Sequence, residues 1–396
     1  MAHYLAYTSP ARGHLYPIVP TLLELRDRGH EVHVRTLASE CAALDQLGLD
    51  AAPIASAIEA TPLADFEGTS MEEALAKAFG TFAERARHEI PDLRDAIADT
   101  DPDALLIDIT TVGAAALADA VGLPWAQSIP LFQSFTPGPG APPVFGLVPY
   151  CLAPEPGLEV LNGPRRDVGL PPLTSPSEVW RASLYLYYTA PPLEHPDLGF
   201  PSSFRFVGPG LWEPPAPTPS WLDELPEPLV VVSVSSEFQR DHALVETALL
   251  ALAREPVGVA ISTAAHDPAA FTTPANARLE RWLPHGALLD RAACVVCHGG
   301  MGITQKTLAA GVPLCIVPFG RDQFEVGARV AALGAGTFLP PDALSPDSLR
   351  SAVKDAIVMR DGARTIADAF AHAGGATAAA SALEAQLAPV AATKVT

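Results

Sequence analysis

Two histidines and two aspartates stand where an α/β chain displays reacting groups. His14 closes the small-residue turn SPARGH, after an apolar strand predicted at 4–8 and before a periodic helical run at 15–28. Asp108 ends the strand-like ALLID at 104–108. Both lie at carboxyl ends of strands, the edge on which open α/β sheets carry their ligand loops. A histidine there can take a proton near neutral pH. A carboxylate bonded to one imidazole nitrogen would fix the tautomer and stabilise the imidazolium. The same positions also fit a capping or solvent-facing histidine, and an aspartate capping the helix that begins near Val112.

The second half carries CVVCHGGMGITQKTLAAG, which sets His298, Gly299 and Gly300 between a strand and a helix. Such a turn brings backbone N–H groups and a helix N-terminus against phosphate. Gly299, Gly300 and Gly302 allow close approach, and Thr304 offers a hydroxyl. Neither the dinucleotide pattern GxGxxG nor the Walker pattern GxxxxGK[ST] is matched, and no GxSxG elbow is present. Cys294, Cys297 and His298 raise the question of zinc. Strand alternation puts 294 and 297 on opposite faces and no second pair supplies further ligands, so structural cysteines and no metal are expected.

These loops need two sets of alternating strands and helices to hold them. In the first half the strands fall at 4–8, 31–37, 104–108 and 125–129, with helices at 15–28 and 113–121. A long polar, Ala-rich helical stretch at 67–98 reads as an insertion bordering a cleft. In the second half, strands at 229–234, 257–262, 294–297 and 314–317 alternate with helices at 242–253, 304–309 and 324–333. The pattern predicts two Rossmann-like α/β units facing across a cleft. The expected divisions are 1–207, a Pro-rich linker at 208–228, 229–372, and a helical tail at 373–396 able to pack back on the first unit.

Composition narrows the partners. The 396 residues carry 25 Lys plus Arg against 45 Asp plus Glu, a net charge of −20. General nucleic-acid backbone binding is excluded on that balance, although a local pocket can still hold one anion. Five cysteines are too few and scattered for a disulfide scaffold, and the first residues lack the basic-then-apolar pattern of a secretory signal. No apolar run reaches the length of about 20 residues needed to span a bilayer, so a cytoplasmic protein without stable membrane insertion is expected.

Taken in order, SPARGH, the Asp108 strand end, WLPH at 282–285, HGGMG at 298–302 and PFGRDQ at 318–323 resemble the family-1 glycosyltransferases of the GT-B fold. The likeness is to actinobacterial enzymes that decorate natural products, and it spans nearly the whole chain. It implies a nucleoside diphosphate-sugar bound mainly by the second unit, an acceptor bound by the first, and inversion at the anomeric carbon without a metal or prosthetic group. His14 would be the base and Asp108 its orienting partner. Ser235, Ser236, His298, Gly299, Gly300, Met301, Gly302 and Thr304 would surround the diphosphate. Trp282 with Leu283 would meet the nucleobase, and Asp322 and Gln323 the sugar hydroxyls. The family often has a glycine-containing turn where this chain reads VSVSSEFQ, which leaves the shape of that phosphate loop open.

The same likeness favours a thymidine diphosphate-linked deoxysugar and a hydrophobic aglycone of polyketide, enediyne or macrolide type. Phe132, Phe135, Phe145, Tyr150, Trp180 and Tyr187, in the Pro-rich middle region, could line the acceptor pocket or fill the first core. Transfer to carbon or nitrogen, and a non-catalytic homologue that stabilises a partner enzyme, are the competing readings. The intact His14, HGG and DQ set favours catalysis over the latter. Homodimer and monomer both stay open.

Overall fold

Strands built from residues such as LVVVS and ALLID are buried along their whole length, the pattern of parallel strands covered by helices on both faces. The computed structural model describes residues 1–68, 70–135, 144–145, 154–195, 198–236, 239 and 241–387. Its first sheet joins β1 (His3–Tyr7), β2 (Glu31–Thr36), β3 (Asp50–Pro53), β4 (Ala104–Asp108) and β5 (Trp125–Ile129) with two later strands. A separate antiparallel ribbon pairs β6 (Ser134–Phe135) with β7 (Val144–Phe145). The sheet is completed by β8 (Leu184–Tyr187) and β9 (Phe204–Phe206), in the order β3-β2-β1-β4-β5-β8-β9.

The second sheet contains β10 (Leu229–Ser233), β11 (Gly258–Ser262), β12 (Ala277–Glu280), β13 (Ala292–Cys297), β14 (Leu314–Ile316) and β15 (Gly336–Phe338). Its order is β12-β11-β10-β13-β14-β15. All pairings in both sheets are parallel. Each sheet therefore reverses its winding direction at its centre, between β1 and β4 in one and between β10 and β13 in the other. Such a reversal leaves a crevice at the carboxyl edge where ligands bind.

The helical run expected at 15–28 is divided into Arg12–Leu15 and Val19–Asp27. Pro17 lacks the N–H a continuous helix would require, and Pro20 suits the first turn of the second segment. The expected helical insertion is the 30-residue helix Met71–Thr100, whose N-cap Ser70 accepts from the Glu73 N–H. The helix Gly375–Leu387 lays Ala379, Ala380 and Leu383 against Leu22 and Leu25 of the first domain. Glu384 from that tail also meets Arg28 at 2.6 Å and His30 at 2.8 Å.

One apolar cluster runs through both domains, from Ile107 and Tyr187 to Leu288, Ile303 and Phe370. Polar ties cross the same interface. Gln305 Nε2 donates to the Tyr188 carbonyl at 2.7 Å, and Arg329, buried over the Phe132 ring, meets Glu194 at 3.1 Å. No described helix is long and apolar enough to cross a membrane.

Candidate active site

His14 rides on the short helix after β1, and Asp108 is the last residue of β4, so both flank the winding reversal of the first sheet. Their side chains meet there: His14 Nδ1 lies 2.7 Å from Asp108 Oδ2. Asp108 is fully buried, whereas the His14 side chain keeps 21% of its surface exposed. The other carboxylate oxygen accepts from the Thr110 N–H at 2.8 Å and from the Thr110 hydroxyl. Asp108 thus shapes the start of the following turn and holds the imidazole at once. Because a carboxylate only accepts, Nδ1 is the donor in this pair and Nε2 is the nitrogen that can take a proton.

A second acid, near this pair, had no signal in the sequence patterns. Glu89 comes from the helix Met71–Thr100, and its Oε2 accepts from the Gly113 N–H at 2.8 Å and the Ala114 N–H at 3.3 Å. Burial pushes its carboxyl up to about 8, against the lowering effect of those N–H groups and of Arg85, while the Asp108 charge adds to the rise. Glu89 therefore clamps the helix that begins four residues after Asp108, and does so largely as a neutral acid at pH 7.

On the second sheet, Ser235 follows β10 and His298 follows β13, flanking the equivalent reversal. Gly299 adopts φ +92°, and a β-carbon there would come within 2.9 Å of Ile316 Cγ2; one on Gly300 would come within 2.4 Å of His298 Nε2. The turn and the imidazole can pack together only without side chains at those two positions. Gly300 then caps the helix Met301–Ala309, with Gly302 exposed, Met301 half-buried and the Thr304 hydroxyl buried in its first turns. Desolvation lowers the His298 pKa, assisted by Arg321; Asp241 and the Ser233 carbonyl oppose it without reversing it. The ring is thus neutral at pH 7.

Below the turn lies a buried polar chain that sequence motifs do not mark. Gln323 Nε2 donates to Gln239 Oε1, and Gln239 Nε2 donates to Ser235 Oγ at 2.9 Å. The Ser235 N–H donates to Asp241 at 2.7 Å, and Asp241 meets His266 at 2.8 Å. Ser236, next in the loop, is exposed.

Gln323 is only 2% exposed, and its Oε1 accepts from the Phe319 and Gly320 N–H groups at 2.8 and 3.1 Å. It braces the loop from beneath. Its neighbour Asp322 is half-buried, and desolvation raises its carboxyl pKa, opposed by Arg321, His14 and Arg329. Asp322 thus lies within electrostatic reach of the first-domain pair.

Trp282 is half exposed at 51% and Leu283 is buried. The Arg12 guanidinium reaches from the first domain to 5.6 Å from the Trp282 ring centroid, held by Glu40 at 2.7 Å. Of the six aromatic residues expected to line an acceptor pocket or the core, two belong to the interior and a third is half-buried beside it. Tyr187 is fully buried with its hydroxyl bonded to Glu194, and Phe132 is covered by Arg329. Trp180 packs edge-on to Tyr185 and Phe204 at 5.3 and 5.1 Å. Phe132 and Tyr187 are thus core residues, and Trp180 packs at the margin of that core. Phe135 and Phe145 have described backbone in the β6–β7 ribbon only, and Tyr150 lies outside the described residues.

Cys294 and Cys297 are buried and unpaired, on opposite faces of β13. Among the described residues, the group of side chains close enough to share a metal ion is His3, Glu31 and His33. It lies at the amino-terminal edge of the first sheet, opposite His14, and His33 Nδ1 already meets Asp50 at 2.6 Å.

Comparison with known proteins agrees with this geometry. Residues 249–372 match the family model for the erythromycin biosynthesis protein CIII-like C-terminal domain. The chain is 33% identical over 393 residues to 4'-demethylrebeccamycin synthase of Lentzea aerocolonigenes, covering 89% of this chain and 91% of that protein. In fold it is similar to CalG4, the calicheamicin glycosyltransferase, with a TM-score of 0.79, 24% identity and 99% coverage of both chains. It is also similar to glycosyltransferase VinC, solved in complex with dTDP, with a TM-score of 0.73, 22% identity and coverage of 97% and 99%. Two parallel-sheet domains with their reversal points charged in this way, and a full-length relative at one-third identity, identify the chain as a family-1 glycosyltransferase of the GT-B fold, from the group that serves natural-product biosynthesis.

Proposed function

We propose that the protein transfers a deoxysugar, with inversion, from a thymidine diphosphate donor to a hydroxyl of a hydrophobic natural-product aglycone. The observation that carries the reading is the 2.7 Å His14–Asp108 pair with its buried carboxylate. His14 Nε2 removes the proton of the acceptor hydroxyl, and Asp108 stabilises the imidazolium that results. The acceptor oxygen attacks the anomeric carbon from the face opposite the diphosphate, so the new bond forms as the sugar–phosphate bond breaks and the configuration inverts.

The leaving diphosphate is taken by the Gly299–Gly300 turn, the first N–H groups of Met301–Ala309, neutral His298 and the Thr304 hydroxyl. Ser235 and Ser236 border it on the other side. Directed hydrogen bonds of this kind hold an anion in a chain of net charge −20 and ask nothing of a metal. Trp282 and Leu283 meet the nucleobase, and Asp322 meets the sugar. Support for thymidine comes from the dTDP bound to VinC and from the natural-product relatives.

The test is a panel of thymidine and uridine diphosphate-sugars against polyketide, enediyne and macrolide aglycones, with and without chelator, followed by linkage and anomer analysis. Inverted O-glycosides formed equally in chelator are expected. Retention of configuration or loss of transfer in chelator contradicts the mechanism. Donor-independent stabilisation of a second glycosyltransferase, with no transfer across the panel, would instead identify an auxiliary homologue.

A further inference from the structure

The loop between β14 and the helix Gln323–Ala332 contains an arginine in a backbone conformation that suits glycine. Arg321 has φ +56°, the left-handed region in which a β-carbon is strained. Strain of this kind persists only where surrounding contacts over-determine it, and the contact here is specific. Arg321 Nε donates to Asp65 Oδ2 at 2.7 Å and Nη2 to Asp65 Oδ1 at 2.9 Å, a parallel two-bond fork.

Asp65 belongs to the other domain. It opens the 3-10 turn Asp65–Glu67, just before the long helix Met71–Thr100, and is 8% exposed. The fork thus joins the two walls of the cleft between residues 256 positions apart. On the second-domain side the next residue is Asp322, whose carboxyl feels both Arg321 and His14, and the Arg321 charge also reaches His298.

We propose that the Arg321–Asp65 fork is a clasp across the cleft that sets the shape of the donor-sugar loop, making Asp65 of the acceptor domain a positioning residue for the donor. This rests on the assignment of Asp322 to the sugar. A planar guanidinium meeting a carboxylate with two parallel bonds fixes orientation as well as distance, which a lysine cannot do. Gln323 braces the loop from below through Phe319 and Gly320, and the clasp fixes it from the side at the residue before Asp322. A tie between domains serving stability alone would have no need of the strained position, and Arg329–Glu194 already provides one in a regular helix.

The experiment uses the full-length protein. Calorimetric titration with thymidine diphosphate and with a thymidine diphosphate-sugar first establishes donor binding by the wild type; failure at this step overturns the donor assignment itself and with it the clasp. Asp65→Ala, Arg321→Lys and Asp65→Ala/Arg321→Ala are then compared for KM of donor and acceptor and for Tm. The clasp predicts a donor KM raised about 10-fold in each single variant, as for a lost charge-assisted pair, an acceptor KM within twofold, and a double variant no worse than Asp65→Ala. Asp65→Glu should restore part of the donor affinity. A donor KM unchanged in Asp65→Ala, or donor and acceptor KM rising together with a fall in Tm, overturns the proposal.

Discussion

The two sheets reverse direction at equivalent places, yet the chemistry at the two crevices is of different kinds. Between β1 and β4 the work falls to side chains: a titratable imidazole held by a buried carboxylate, with a second acid clamping the helix behind it. Between β10 and β13 it falls mainly to the backbone: a left-handed glycine, a second glycine under an imidazole, and a helix start, over a buried polar chain that runs from Gln323 through Gln239 and Ser235 to Asp241 and His266. The contrast follows from the tasks. A proton must move at the first site, so its groups must titrate. An anion must be received at the second, so donors must stand in place before it arrives, and the buried Asp241 beneath them is itself held by the Ser235 N–H and His266.

That contrast can be broken from either side. Asp108→Asn leaves a hydrogen-bonding group but favours the wrong imidazole tautomer, and turnover should fall about 100-fold or more with donor affinity intact. Steady-state kinetics beside calorimetry will show whether the two quantities separate. At the second crevice, Gly300→Ala brings a methyl within 2.4 Å of His298 Nε2. Donor affinity should drop about 10-fold, equal to 1.4 kcal/mol, while acceptor KM stays; an unaltered donor Kd would mean that the turn does not receive the diphosphate.

The smallest effect concerns Glu89. Its folded-state carboxyl sits at about 8 against an ordinary 4.5, so the folded protein holds a proton that the unfolded chain has released. Stability contributed by this group is therefore lost as pH rises through that interval. Glu89→Gln keeps a neutral acceptor for Gly113 and Ala114, and its Tm should decline less than that of the wild type between pH 5 and 8. Parallel Tm curves would show that Glu89 does not titrate in this window.

Sequence made the side-chain crevice legible because a histidine and an aspartate at two strand ends carry their chemistry in their residue types. β4 also coincides with its expected span, since its apolar run is closed by Asp108, and β5 coincides as well although Gln127 and Ser128 interrupt its apolar character. The other crevice was legible only as a glycine-rich turn. Gln239, Asp241 and His266 have no motif, because a buried hydrogen-bond chain depends on loops meeting in space. The inward side of Gln323 was hidden for the same reason: a DQ pair does not reveal which of its two side chains faces inward. Aromatic composition cannot separate a core from a pocket wall, so the burial of Phe132 and Tyr187 is seen only in the structure. Arg321 drew no notice as part of PFGRDQ, and only its backbone angle and its partner 256 residues away set it apart.

If His14 is the base for sugar transfer, the rate of product formation by His14→Ala at saturating donor and acceptor falls by at least about 100-fold, with donor binding by calorimetry unchanged from the wild type. A His14→Ala enzyme that transfers sugar within about threefold of the wild-type rate, far less than a general base contributes, would contradict it.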